Sequence, residues 1–218
     1  VALAWDHGWL GPSPGGDDDP VAGFEEGGPY GPEVRPELTA AGQATAGIAW
    51  PDQAVGLVRS VIPEGTALAG KWKYIVFHHS ATAAGGANAF DAYHRKRFKD
   101  KNGVEYQFVI GNGTHTPDGA IEATSRWGKQ LRSGHVKNPR RVPDSIAICV
   151  VGDFTKQELS PGQYQACVLL ARALMDACGI PASRITMHRA VDGSRHTECP
   201  GGKFPLERIK AELAAGGK

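Results

Sequence analysis

The chain has 218 residues, 41% of them hydrophobic, which suits one large domain or one domain with an appendage and allows a buried core. No apolar run approaches the roughly 18 residues of a membrane span, so a transmembrane helix is excluded. The net charge of +1 hides a split: residues 1–45 hold eight acids against one base, Arg35, for −7, which leaves +8 on the remainder.

That acidic stretch also contains 15 Gly and Pro without a period, which excludes collagen and predicts irregular structure. Trp5, Trp9, Phe24 and Tyr30 are scattered through it. Two readings stand: a flexible leader, or an extended segment pinned by its aromatics and folded back on the basic side. The first residue is Val1, which fits a processed or trimmed form. Gly47 to Pro63 is more apolar and predicts one short element. Residues 1–70 are therefore expected as an irregular N-terminal segment, and 71–218 as the domain proper.

Tyr74 to His78 reads as a buried strand. Ala87 to Phe98 predicts a helix, with Phe90, Tyr93/His94 and Arg97/Phe98 at helical spacing. Val104 to Ile110 is β-like, and Asp118-Gly119 marks a turn before Ala120–Ala123. Ser145 to Val151 is apolar throughout, as in a central strand covered on both faces. Ser160-Pro161-Gly162-Gln163 opens a helix with a capping box, and Gly179 ends it. Within that helix Cys167 and Cys178 lie about 16 Å apart along the axis, too far to bridge. Arg184–Met187 predicts a short strand and Phe204–Leu213 a closing helix. The sum is an α/β (α+β) domain: a central mixed sheet flanked by about three helices.

Of the eight histidines, His7 and His115 carry no pattern, and His94 shares a helix face with Phe90 and Phe98, as a core histidine would. His188 differs. It stands at a strand end, and Cys199 follows 11 residues later in a Pro/Gly-rich turn. Imidazole and thiolate are both good zinc ligands. A third ligand from a distant strand, His78 or His79, would leave one position open, as in catalytic zinc.

The runs FHHSAT (from Phe77), YHRKRF (from Tyr93), VEYQFVI (from Val104), DGAIEA (from Asp118), SGH (from Ser133), SIAICVVGDF (from Ser145), MHRAV (from Met187) and TECPGG (from Thr197) stand in the order found in type 2 N-acetylmuramoyl-L-alanine amidases. Over about residues 71–213 the chain resembles that family, which includes amidase-type phage lysozymes and peptidoglycan recognition proteins. The resemblance implies a peptidoglycan-recognition-protein-like fold and Zn2+ held by His78, His188 and Cys199. It implies Tyr106 and Thr197 as catalytic groups, and His135 and Trp127 as substrate contacts at a groove. The implied reaction is hydrolysis of the amide between N-acetylmuramic acid and L-alanine in peptidoglycan. Zinc with two neutral imidazoles and one thiolate keeps a positive charge, able to lower the pKa of a bound water to about 7. Tyr106, and more weakly Thr197, would hydrogen-bond the developing charge. No Glu base stands out for the proton shuttle.

The turn between His188 and Cys199 is longer than in the phage enzymes. The segment between Trp127 and Ser145 is enlarged and basic (with Arg126, Lys129, Arg132, Lys137, Arg140, Arg141), either as a rim that attracts the anionic wall or as a solvated loop. Cytosolic recycling amidases carry Asp where this chain has Cys199, so the wall itself is the expected substrate. Competing readings are a recognition module that binds muropeptides without cutting, and a zinc hydrolase of another amide. A nucleic-acid partner is not expected. The expected protein is a monomer without a membrane span, acting in the cell envelope or after secretion, or in phage lysis. Because a strand alternates its faces, only one of His78 and His79 can face a given metal. The resemblance selects His78.

Overall fold

A single six-stranded sheet organises the computed structural model, which describes residues 45–215. The expectations for the acidic leader lie outside the described residues. Strand β1 (Thr45–Ala49) leads into helix α1 (Ala54–Ser60), then β2 (Tyr74–His79), α2 (Ala87–Phe98), β3 (Phe108–Ile110) and β4 (Ile121–Thr124). Next come α3 (Ser125–Gly128), β5 (Ser145–Val150), α4 (Pro161–Cys178), β6 (Ile185–Met187), α5 (His188–Asp192) and α6 (Leu206–Ala215). The spatial order is β1-β4-β3-β5-β2-β6. The pairs β3/β5, β5/β2 and β2/β6 are parallel, while β3/β4 and β1/β4 are antiparallel. The expected mixed sheet is therefore present.

β2 and β5 read as apolar runs because both of their faces are covered. Ile75, Phe77, Ile146, Ile148 and Val150 join the main core with Leu57 and Val58 of α1, Leu170 and Leu174 of α4, and Ile209 and Leu213 of α6. On the other face Ala147 and Cys149 pack with Phe90 of α2 and with Tyr106, and Val76 packs with Val136, Val142 and Val191. This second face carries the polar residues of interest.

Local signals account for the helix ends. In α4, Ser160 Oγ accepts from Gln163 N at 3.0 Å, Gln163 Oε1 accepts from Ser160 N at 3.3 Å, and Gly179 closes the helix at φ +72°. Helix α2 spans the predicted residues, and β6 and α6 match the expected short strand and closing helix to within two residues.

Two expectations change. Residues 45–60 form β1 and α1, and α1 contributes Ala54, Leu57 and Val58 to the main core, so the ordered fold reaches back well before residue 71. Only Phe108–Ile110 of the β-like run from Val104 pairs as a regular strand. Side chains of α2 take the backbone donors upstream: Asp91 Oδ1 accepts from Val104 N at 2.9 Å, and His94 Nδ1 accepts from Glu105 N at 3.0 Å. His94 is thus the hydrogen-bonded core histidine its helix face suggested.

Candidate metal centre

The parallel register brings distant residues together. Phe77 of β2 pairs with Met187 of β6, so the next residues, His78 near the end of β2 and His188 at the start of α5, stand at one level. Their ring centroids are 4.7 Å apart, and both side chains are buried. Cys199 arrives from the turn after α5, which is tied back by Arg189 N donating to Cys199 O at 2.8 Å. The Cys199-Pro200 bond is cis. Gly201, at φ +109°, lies so close to the chain after β5 that a Cβ would come within 2.2 Å of the Phe154 backbone, so only glycine fits.

One donor atom each from His78, His188 and Cys199 lie within 4.8 Å of one another. Cys199 Sγ is 3.7 Å from His78 Nδ1 and accepts from His79 N at 3.3 Å. The outer ring nitrogens are engaged elsewhere: His78 Nε2 is 2.8 Å from His135 Nδ1, and His188 Nε2 is 2.7 Å from Asp192 Oδ2. Nδ1 of each ring is therefore the nitrogen that can face an ion, with its outer nitrogen fixed as in ordinary metal sites. Two imidazoles and a thiol in a buried cluster form a borderline-soft donor set that suits zinc.

Burial dominates the electrostatics. Burial first, then the charges of His188, His135 and His79, hold the His78 ring well below the usual histidine range, which keeps it neutral. Burial lowers His135 to about 3. For Asp192, burial works upward, but the Lys137 and Asn138 amides and His188 outweigh it and hold the carboxyl below its ordinary value. Burial pushes the Cys199 thiol up, opposed by the His79 amide, so the thiol by itself keeps its proton. A cation in place is what would make it a thiolate.

Tyr106 is buried, with its ring centroid 5.4 Å from that of His78. Burial, followed by the charges of Cys149 and Cys199, raises its pKa well above the usual tyrosine value. The phenol is therefore a neutral donor. Thr197 Oγ1 accepts from Cys199 N at 3.1 Å, which leaves its hydroxyl proton free to donate elsewhere. His79 points to the other side of β2, where its Nδ1 accepts from Phe154 N at 3.3 Å and lies 3.7 Å from Asp153.

Three sequence expectations need correction. Trp127, expected at a groove, is 0% exposed in the main core, between Trp72 and Phe108, and donates from Nε1 to Val58 O at 3.1 Å. Helix α3 turns it inward under α1. His135, expected at a rim, is only 8% exposed and bonds His78 on one side and Ser145 Oγ, at 2.8 Å, on the other. Arg126, counted with the basic rim, is buried; it donates to Val104 O at 2.6 Å and pairs with Asp100 at 3.0 Å. Lys137, Arg140 and Arg141 are exposed. Sequence reasoning missed Asp192, Cys149 and Ser145. For Asp192 a signal existed, since His188 and Asp192 are four residues apart on one helical face.

The family model described as N-acetylmuramoyl-L-alanine amidase matches residues 68–202. Among solved structures, the endolysin N-acetylmuramoyl-L-alanine amidase LysCS from Clostridium intestinale is 27% identical, with 68% of this chain and 89% of that chain covered and a TM-score of 0.50. The ectodomain complex of the peptidoglycan recognition proteins LCa and LCx, bound to tracheal cytotoxin, is 23% identical over 64% of this chain and 81% of that one, with a TM-score of 0.51. Peptidoglycan recognition protein SA of Apis mellifera is 18% identical over 68% and 90%, with a TM-score of 0.52. At these identities the two recognition proteins speak for the fold alone. No curated protein matches the chain significantly.

Proposed function

This chain belongs to the N-acetylmuramoyl-L-alanine amidase family, and from that premise we propose that it is a zinc-dependent enzyme that hydrolyses the amide between N-acetylmuramic acid and L-alanine in peptidoglycan. The observation that carries the reading is the convergence of His78, His188 and Cys199 beside Tyr106 at the ends of β2 and β6. Likeness to an endolysin amidase above 25% identity supports the same activity. Residues 71–218 form the zinc amidase domain, and the packing of α1 joins residues 45–70 to it.

His78 and His188 would hold the ion through Nδ1, and Cys199 through Sγ. Zinc supplies a Lewis acid that polarises the scissile carbonyl and makes water a nucleophile near neutral pH. The Tyr106 hydroxyl, kept protonated by its buried setting, donates to the oxygen on which negative charge develops. Thr197 adds a second, uncharged donor from the turn that carries Cys199. The neutral histidines leave the cluster free of competing positive charge. Because the substrate lies outside the cytoplasmic membrane, the place of action is the cell envelope, reached by secretion or during phage lysis. Among the described residues no helix is long and apolar enough to cross a membrane.

The test is digestion of purified peptidoglycan with and without a chelator, scored for new L-alanine amino termini and for reducing sugar. The reading requires amino termini without reducing ends, abolished by the chelator and by Cys199→Ser. Tight muropeptide binding without any release would favour a recognition module, and full activity of Cys199→Ser would sink the zinc assignment.

A further inference from the structure

The enlarged segment between Trp127 and Ser145 reaches both ligand histidines. His135 bonds the outer nitrogen of His78 directly. Asp192 bonds the outer nitrogen of His188, and the same carboxylate accepts from the backbone of this segment: Lys137 N to Oδ2 and Asn138 N to Oδ1, both at 2.8 Å, with Asn138 Nδ2 to Oδ1 at 3.2 Å. The segment is itself fixed from behind. Gly134 N donates to Glu105 Oε2 at 2.6 Å, Gln107 Nε2 to Leu131 O at 2.9 Å, and Arg126 Nη1 to Arg132 O at 2.7 Å. Further along, Arg141 Nη1 donates to Val191 O at 2.9 Å.

We propose that residues 131–142 are the orienting frame of the metal centre, with His135 and Asp192 as positioning residues that fix the tautomer and aim of His78 and His188. This rests on the reading of those histidines as metal ligands. For His78 to present a lone pair at Nδ1, its proton must sit on Nε2 and be donated to His135 Nδ1. His135 then carries its own proton on Nε2 and donates it to Ser145 Oγ, so the chain has one consistent direction. The Asp192 carboxylate does the same for His188. It accepts from Nε2, which puts the lone pair on Nδ1, while the two amides hold the carboxylate in place. Both rings are thus set before an ion arrives, so less is lost in ordering them. Coupling of this kind is reciprocal: an ion that orders the rings also orders the segment.

The test measures zinc affinity by chelator competition, and amide hydrogen exchange at Lys137 and Asn138, on the full chain and without substrate. His135→Ala and Asp192→Asn should each weaken zinc binding by about 10- to 100-fold, the usual effect of losing such a partner. His135→Asn, which returns an acceptor near the Nδ1 position, should recover most of the loss. Arg140→Ala, in the same segment with an exposed side chain, should bind as the parent does. In the parent, zinc should slow exchange at Lys137 and Asn138. Normal affinity in folded His135→Ala and Asp192→Asn, or exchange at those amides indifferent to zinc, overturns the proposal. The exchange arm needs no variant to fold. If the parent takes up zinc while these outcomes fail, only the frame falls; if it takes up none, the metal reading falls with it.

Discussion

Replacing Glu105 by Gln should remove a specific loss of stability with rising pH. The Glu105 side chain is 17% exposed and is pushed up to about 7 from an ordinary 4.5, first by burial and then by its hydrogen bond to Asp100. Asp100 moves the other way, to about 2, chiefly because Glu105 donates to it, so the pair holds one proton on Glu105. Arg126 faces both carboxyls, and His94 packs from α2 as the acceptor of the Glu105 amide. Between pH 4.5 and 7 the unfolded chain has lost this proton and the folded one keeps it. The folded state binds more protons, so its stability falls as pH rises through that window and levels off above it. At about 1.4 kcal/mol per pH unit the loss integrates to roughly 3 kcal/mol. Asp100 stays ionised in the folded state throughout the window and adds little to the slope. A glutamine side chain at this position would keep an acceptor for Gly134 N and a donor toward Asp100 but would not titrate. Urea unfolding of both proteins from about pH 4.5 to 8, at one zinc concentration, measures the difference. The buried histidines titrate in both and cancel. The two should match near pH 4.5, with the variant ahead by roughly 3 kcal/mol at about pH 8. Parallel stability curves would refute the shared-proton account.

Trp127→Ala should destabilise the protein by about 3–5 kcal/mol, as expected for a buried aromatic, and leave KM unchanged for the folded fraction. A groove contact would instead raise KM with little change in the melting temperature. Gly201→Ala should lower both stability and zinc affinity, measured by thermal melting and chelator competition, because its Cβ meets the Phe154 and Thr155 backbone and displaces the turn that carries Cys199. Unchanged affinity would show that the turn has slack. His94, lowered to about 4 by burial and then by Arg126, should titrate near that value in an NMR titration of its ring protons; a midpoint above about 6 would contradict its buried, accepting role. Because the unfolded ring takes up a proton below about 6.5 that the folded one refuses, stability should fall as pH drops from about 6.5 toward 4.

What could be read in advance followed from short-range chemistry. The capping box at Ser160 and the spacing of Phe90, His94 and Phe98 define α4 and α2 because the signals lie within one or two turns. Motif order and strand alternation pointed to His78, His188 and Cys199 as a set, and the fold brings them together. The failures at Trp127 and His135 share one cause, partners far away in the chain. Trp127 sits in a basic stretch and looks like a surface residue, yet its indole partner is the Val58 carbonyl, 69 positions earlier. His135 looks like a loop histidine because its partner, His78, is 57 positions away. The upstream half of the run from Val104 has strand composition, but Asp91 and His94 take its amides before a neighbouring strand can. β1 was faint in TAGIA because small residues blur the alternation that marks a strand.

The pairing of β2 with β6 also sets when the proposed metal centre can form. Cys199 meets His78 across 121 positions of chain, and His188 reaches its place only when the last strand docks on the sheet edge. A contact across so long an interval forms only after the entropy of closing that loop is overcome by the rest of the fold. A chain emerging from a ribosome or a secretion pore therefore has no complete His78–His188–Cys199 cluster while the first five strands assemble. A fragment ending before β6 would be inert rather than weakly active. On the proposed amidase reading, whose substrate would be the wall around a cell, that order of assembly is a built-in delay.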